Sequence, residues 1–465
     1  MAIKRRGKML AMWAVLAAAL LVVSASAESK VRIVRLSEVQ GTVQIDRATG
    51  DAFDKAFINL PVVEGSRLKT GKDGRAEVEF EDGSTLRLAP NSEVDFTRLS
   101  LSDDGQKLSS VQLVSGTVYA SLHPKKAGEK SSDEFQLNFA DDSVSVAEAA
   151  HFRVQLDGGN KATVAVFKGK VSAISPTGHV EVAEKRSASI DIAKVDIAKN
   201  DLAKDDLAKD ELANTPSAKE NTFAIAKNFE ADPSDAWDRQ QSDYHDRYAA
   251  GGSSISSPYG YGMSDLNYYG SFMSVPGYGN VWQPYFIGAG WSPFQDGAWA
   301  FYPGTGYMFV SGYPWGWMPY RYGNWAFIPG FGWVWEPGSY GSWNALPQVI
   351  NPPVRAKIPT APVSGHQTVM LGLGLSANPA GGIPHRLTIN PGSAGFGVPR
   401  GSVNHLDHVA KTMDKTSRPV VVATAPPVQP SAPATGFGAG PRPATSTGMA
   451  QISAHRSVAA PSRPH

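Results

Sequence analysis

The chain has 465 residues, 44 Lys+Arg against 43 Asp+Glu, no cysteine, 46 glycines and 33 prolines. The lack of cysteine excludes disulfides, thiolate metal sites, a lipobox anchor and thiol nucleophiles, and so high a Gly and Pro content argues against compaction throughout. Charge is uneven: residues 28–262 hold 29 Lys+Arg against 38 Asp+Glu, residues 263–350 have only Asp265, Asp296, Glu336 and Arg321, and residues from 351 hold ten Lys+Arg with Asp407 and Asp414.

In chain order, residues 1–27 read as an export signal. Lys4, Arg5, Arg6 and Lys8 precede the apolar run Met9–Val23, and Ala25-Ser26-Ala27 offers small residues for cleavage before Glu28. The run is short for a ~20-residue bilayer span, so cleavage is expected over an uncleaved anchor. The acidic first half and the expected export also argue against nucleic acid as a partner.

From 28 to 185 the pattern is of short alternating strands with glycine turns. Ala76, Val78 and Phe80 alternate with Glu77, Glu79 and Glu81, Asp82-Gly83 turns the chain, and Leu86 and Leu88 return on the apolar face. Arg87 shares the outer face with the glutamates, so exposed cross-strand ion pairs worth well under ~1 kcal/mol each are expected. Similar alternation marks Val39–Ile45, Phe135–Phe139, Phe152–Leu156 and Val164–Ile174.

This segment resembles the FecR domain. The likeness lies in Gly41-Thr42-Val43, the stretch 65–71 (Gly65-Ser66-Arg67-Leu68-Lys69-Thr70-Gly71), 73–78, Asp82-Gly83-Ser84, 88–93, Gly116-Thr117-Val118 and the closing Val164–Val171 with Gly169. FecR signalling proteins carry a cytoplasmic anti-sigma segment before their membrane helix. Only eight residues precede the apolar run, so direct sigma-factor regulation is not expected.

Residues 186–262 read as a charged linker and a helix. A five-residue repeat over 191–215 (Asp196-Ile197-Ala198-Lys199, Asp201-Leu202-Ala203-Lys204 and their neighbours) makes no apolar stripe at helical spacing. Phe223–Tyr248 leans helical, with Phe229, Trp237, Tyr244 and Tyr248 as its apolar positions.

Residues 263–350 form an aromatic module. Nine of the eleven tryptophans lie between Trp282 and Trp343, and a 26-residue period relates Trp291, Gly297, Trp299, Phe301, Pro303 and Gly304 to Trp317, Gly323, Trp325, Phe327, Pro329 and Gly330. Each unit is expected to be a hairpin and a turn completed by its neighbours, with Trp317–Tyr320 a short strand. The rings either build a core or serve as flat platforms for a neutral extended ligand. Candidate ligand contacts are Trp291, Trp299, Trp317, Trp325, Trp333, Trp335, Trp343, Tyr320 and Arg321. The module resembles an uncharacterised Trp/Tyr/Gly/Pro-rich repeat domain that follows FecR domains in bacterial envelope proteins. That likeness rests on Asp265-Leu266, Tyr269-Gly270, Tyr278-Gly279, Trp282-x-Pro284, Gly290-Trp291-x-Pro293-Phe294, the stretch 314–325 and Pro337-Gly338, with Phe272 where the pattern has Trp. It implies no activity. A looser likeness to choline-binding cell-wall repeats supports the platform idea by analogy.

Residues 351–465 read as a disordered, basic, Pro/Ala/Gly-rich tail. The expected fold is therefore mainly β: a FecR-like all-β domain, a helical linker, short aromatic hairpins and a disordered tail.

No reaction centre assembles. Asp296 and Glu336 could flank a glycosidic bond, but they fall at unequal repeat positions. His405, Asp407 and His408 lack a third anchored ligand. No catalytic residue, metal site or cofactor is assigned. The expected function is a non-enzymatic envelope scaffold or binding module, periplasmic or at the cell surface. Its partner would be an envelope protein or a wall or surface polymer, with membrane contact only through an uncleaved N-terminus. The alternatives are a membrane-anchored accessory of FecR-type signalling and a glycan-cleaving enzyme. Mass spectrometry of the mature protein should find Glu28 as its first residue; a retained Met9–Val23 run would establish the anchor instead.

Overall fold

The computed structural model describes residues 32–192 (except 51, 124–132, 159 and 177), 223–249, 257–372 (except 339, 341 and 342) and 386–424. The export signal, most of the five-residue repeat and everything beyond 424 lie outside these residues.

Two nine-stranded sheets face each other. The first runs in spatial order Ala224–Ala226, Ser187–Asp191, Lys161–Lys168, Ala150–Leu156, Thr117–Leu122, Thr85–Leu88, Arg75–Glu79, Val34–Gln40 and Pro61–Val62. The second runs Gly178–Ala183, Lys170–Ser175, Asp142–Ser145, Glu134–Phe139, Lys107–Ser115, Glu93–Leu101, Arg67–Thr70, Val43–Asp46 and Asp54–Lys55. The inward positions of both sheets, among them Val34, Leu36, Val78, Leu86, Phe96, Val111, Val118, Phe152 and Val164, pack into one aliphatic core. The sandwich continues past residue 185, since Ser187–Asp191 and Ala224–Ala226 extend its first sheet.

Three glycines carry the chain from one sheet to the other. The alternating stretches Val39–Ile45 and Val164–Ile174 are broken at Gly41 and Gly169, the second as the paired strands of the FecR resemblance imply, and the two halves join opposite sheets; Gly116 does the same between Lys107–Ser115 and Thr117–Leu122. All three have positive φ, and each packs against backbone: a Cβ on Gly41 would lie 2.2 Å from the Asp73 carbonyl oxygen. Corners this tight need a residue without a side chain.

Helix α1 (Asp235–Ala249) lies over the outer face of the first sheet and packs against helix α2 (Met263–Tyr269), which opens the aromatic module. Three hairpins follow: Gly270–Val275 with Gly279–Pro284, Gly297–Tyr302 with Gly306–Ser311, and Asn324–Ile328 with Gly332–Glu336. The 26-residue reading pairs Trp317–Tyr320 with residues 325–328 about Gly323, whereas the hairpin forms one turn later, about residues 329–332, and the hairpin over residues 270–284 falls outside the period. All three turn on the same Pro-Gly-x-Gly: Val275, Tyr302 and Ile328 each accept from the amide three residues on, and both glycines of each turn have positive φ. Proline followed by a left-handed glycine is the type II turn signature. Trp317–Tyr320, expected as a strand, instead enters a one-turn helix α3 (Met318–Arg321) with Pro319 near its start.

The middle hairpin is buried on both faces. Ala300, Tyr302, Met308 and Val310 belong to the aliphatic core of the sandwich, while Trp299 and Phe309 belong to the aromatic core. The tail also departs from expectation within 386–424. Arg386–Ile389 and Val420–Ala423 pair with each other around helix α4 (Leu406–Thr416), and Ile389, Val398, Val403, Leu406, Ala410 and Met413 are buried in the aromatic core.

Gly41→Ala should destabilise the fold by about 2 kcal/mol or more, through strain at positive φ together with the clash on Asp73. Gly105→Ala has positive φ but open space around it and should cost less. Equal losses in denaturant titrations of the two variants would contradict the sheet-switch account of Gly41.

Candidate functional site: a buried ion-pair network

The candidate contact residues of the aromatic module lie mostly in its interior. Trp299, Trp317, Trp325 and Trp335 are fully buried, Trp291, Trp333, Tyr320 and Arg321 nearly so, and Trp343 is half-buried. Cross-strand register explains the arrangement: Phe272 faces Trp282, Trp282 faces Trp335, Trp335 faces Trp325, and Trp325 faces Val349 across five strands. Opposed rings on one face of a sheet pack on one another, and Trp315 closes the cluster, 4.9 Å from both Trp282 and Tyr313. Arg321 sits among the rings, 4.7 Å from the Trp343 ring centroid, donating to the Phe309, Asn344 and Ala345 carbonyls. Burial lowers its guanidinium to about 10, which leaves it cationic at neutral pH.

The polar centre lies elsewhere, on the outer face of the first sheet. Glu77, Glu79, Glu81 and Arg87 point away from the aliphatic core as their alternation requires, yet all four are buried. Helices α1 and α2 and the 386–424 segment cover that face. Glu77 and Arg87 are opposed across strands and meet at 2.7 Å. Arg87 also donates to Asp238 of α1 (2.7 Å), whose second oxygen meets His151 Nε2 at 2.7 Å. The other Glu77 oxygen contacts His245 Nε2 at 2.9 Å and accepts from Ser37 at 2.7 Å and Arg400 at 2.6 Å.

Arg400 grips Asp265 of α2 with two nitrogens, at 3.1 and 3.0 Å, donates to the Ser37 carbonyl at 2.9 Å and lies 5.0 Å from the Tyr244 ring centroid. Asp265 also meets Arg35 at 2.6 Å and accepts from Tyr244 at 2.8 Å. Arg35 continues to Glu79 at 3.1 Å, Asn59 at 2.9 Å and the Pro314 carbonyl at 2.6 Å. One network thus joins the sandwich, α1, α2, the aromatic module and the C-terminal segment.

Burial alone would push every one of these carboxyls up. At Glu77 that effect is overcome by His245, Arg400 and Arg87, which hold it well below the usual carboxylate range. Asp265 is lowered against burial by Arg400 and Arg35. Glu79 and Glu38 stay raised, since burial there outweighs Arg35 and Arg400 respectively. Burial would lower Arg400, but Asp265, Glu77 and Glu38 reverse this and hold it well above its ordinary value.

The network cross-links, its carboxylates and guanidinium groups buried against one another. Asp296 is raised by burial, with a hydrogen bond from Tyr313 opposing, and its carbonyl accepts from Gly312, a turn role. Asp407 pairs with Lys411 at 3.2 Å on α4, and among the described residues no three His, Asp or Glu are grouped to hold a metal ion. A groove of about 500 Å³ lies between Phe53, Phe57 and Met370, and its acid, Asp54, is taken by Arg47 at 2.6 Å.

The sequence offers Glu77 and Arg87 as an exposed cross-strand pair and Asp265 as an isolated acid, but neither their burial nor the Arg400 that joins them. Alternation gives the face of a residue and is silent about what covers that face. One available signal was Asp265 itself, since an isolated acid in a nearly uncharged module calls for a cationic partner.

Residues 66–172 match the model of the family described as FecR protein, and residues 263–357 match a family of unknown function (DUF6600). The chain therefore carries a FecR domain followed by an uncharacterised domain. No curated protein matches it. Two crystal structures of a candidate anti-sigma factor from Parabacteroides distasonis are similar at 15% and 16% identity, each over 28% of this chain and with a TM-score of 0.23. The chain spans 55% and 56% of their lengths, about half.

Glu77 has a folded pKa below its reference of 4.5, so the stability it confers is present above that pH and is lost as pH falls through the folded value. Glu77→Gln should cost about 3–5 kcal/mol at pH 7, and the gap to wild type should narrow in acid. A gap independent of pH down to the acid limit would remove the charged role of Glu77.

Proposed function

We propose that the protein is a non-enzymatic, exported scaffold of the bacterial envelope, in which the FecR domain and the aromatic module act as one rigid body. The observation that carries this reading is the buried network from Glu77 to Arg400, with the middle hairpin packed into both cores. A flexible tether carrying the module to its target, as the charged linker would suggest, does not fit a module held by Arg35, Asp265 and the Tyr302 hydrogen bond to the Pro61 carbonyl (2.6 Å).

The FecR match supports an envelope setting, and among the described residues no helix is long and apolar enough to cross a membrane. Binding falls to groups outside the aromatic core. Phe331 at the tip of the third hairpin is 48% exposed and Leu346 43% exposed, while Tyr278 sits half-buried at the first tip and Trp343 retains partial exposure. These suit an envelope protein or a neutral surface polymer.

The FecR match also favours a second reading, an accessory of FecR-type transmembrane signalling held by an uncleaved N-terminus.

Photoreactive residues placed at Phe331, Tyr278 or Leu346 should give discrete adducts with envelope components in living cells. A stable protein that yields no adduct from any of the three positions would sink the scaffold reading.

A further inference from the structure

We propose that the cleft between the first sheet, α1, α2 and the aromatic hairpins is a receptor for an arginine-bearing Gly/Pro loop. Residues 386–424 fill it as a non-covalent, exchangeable clamp. This inference does not rest on the scaffold reading.

The clamp is structurally self-contained. Among the described residues its two strands pair only with each other and add to neither sheet of the aromatic module. It is held instead through the backbone of its loop, one charged side chain, and the apolar side chains Ile389, Val398, Val403, Leu406, Ala410 and Met413 that enter the aromatic core. Trp315 Nε1 donates to the Ala394 carbonyl at 2.6 Å, Tyr269 to the Val398 carbonyl at 2.8 Å, and Tyr268 to the Val403 carbonyl at 3.0 Å. The amides of Gly392 and Ala394 both donate to the Phe286 carbonyl, at 2.7 and 3.2 Å. Gly395 and Gly401 have positive φ and lie against rings: a Cβ at 395 would be 2.8 Å from Tyr269, and one at 401 would be 3.2 Å from Tyr244.

The socket is built for a guanidinium. Asp265 takes two Arg400 nitrogens side by side, Glu77 takes the third, the Ser37 carbonyl accepts from one of them, and the Tyr244 ring lies alongside. This fork geometry matches the planar, five-donor head of arginine and not the ammonium of lysine. Without Arg400, the carboxylates of Glu38, Glu77, Glu79, Asp238 and Asp265 face, among the described residues, Arg35 and Arg87 as their permanent cationic partners, so the empty socket is acidic and attracts a cationic segment.

The test uses the full chain with a protease site inserted between 373 and 385, cleaved under native conditions. The cleaved piece should stay bound through size exclusion, and a labelled 386–424 peptide should exchange into the wild-type core. The peptide carrying Arg400→Lys should bind at least tenfold more weakly, and a control peptide carrying Arg386→Gln, at an exposed position, should bind like the wild type. Because the core is wild type throughout, no variant has to fold for the comparison to be read. Immediate loss of the cleaved piece, loss of the core's circular dichroism on cleavage, failure of the peptide to exchange, or equal binding of the Arg400→Lys peptide would each overturn the proposal.

Discussion

The Glu77 carboxylate is the point on which the architecture depends. A buried carboxylate left without partners costs several kcal/mol, and burying it with partners is neutral at best against an apolar substitute. Its contribution is therefore specificity. Arg87 comes from the adjacent strand, His245 from α1 and Arg400 from the C-terminal segment, so satisfying one group requires three elements to arrive in a fixed geometry. A sliding or rotated packing of the same apolar surfaces would leave Glu77 or Asp265 buried without a partner. The ionic face thereby selects one arrangement of otherwise adhesive, ring-rich parts.

The aromatic module solves a related problem with different material. It has few aliphatic residues to spend on a core, and its three hairpins present rings in register, so edge-to-face and stacked pairs do the work that leucine and valine do in the sandwich. Such pairs contribute about 0.5–1.5 kcal/mol each beyond the area they bury. The indole N–H groups of Trp282, Trp291, Trp315 and Trp335 each reach an oxygen acceptor, which keeps their polar ends from weakening the core.

Local pattern was legible where short-range physics decides the outcome. The alternation at Ala76–Phe80, the turns at Pro303-Gly304 and Pro329-Gly330, and the helix around Trp237 and Tyr244 all follow from residues close in sequence. The first hairpin was equally legible in Pro276-Gly277-Tyr278-Gly279, but a spacing one residue off the 26-residue period hid it. The change of sheet at Gly41 and Gly169 was not legible, because a glycine inside a strand pattern marks a bulge, a bend or a change of sheet alike. The candidate site was the least legible part. Glu77 and Arg87 read as an exposed pair, and only the fold brings Arg400 to them from a segment whose composition suggested disorder.

The separation between Glu77 and Arg400 is 323 residues, and synthesis delivers them in that order. Until α1, α2 and the C-terminal segment dock, the strand that carries Glu77, Glu79 and Glu81 can fold into the sandwich with its carboxylates still in water. A charged face of this kind repels its own copies and resists the edge-to-edge and face-to-face sticking that an apolar waiting surface would invite. The same carboxylates that lock the finished molecule thus act earlier as a solubilising coat for its unfinished half, and the docking of two helices and one arginine converts the coat into a seam.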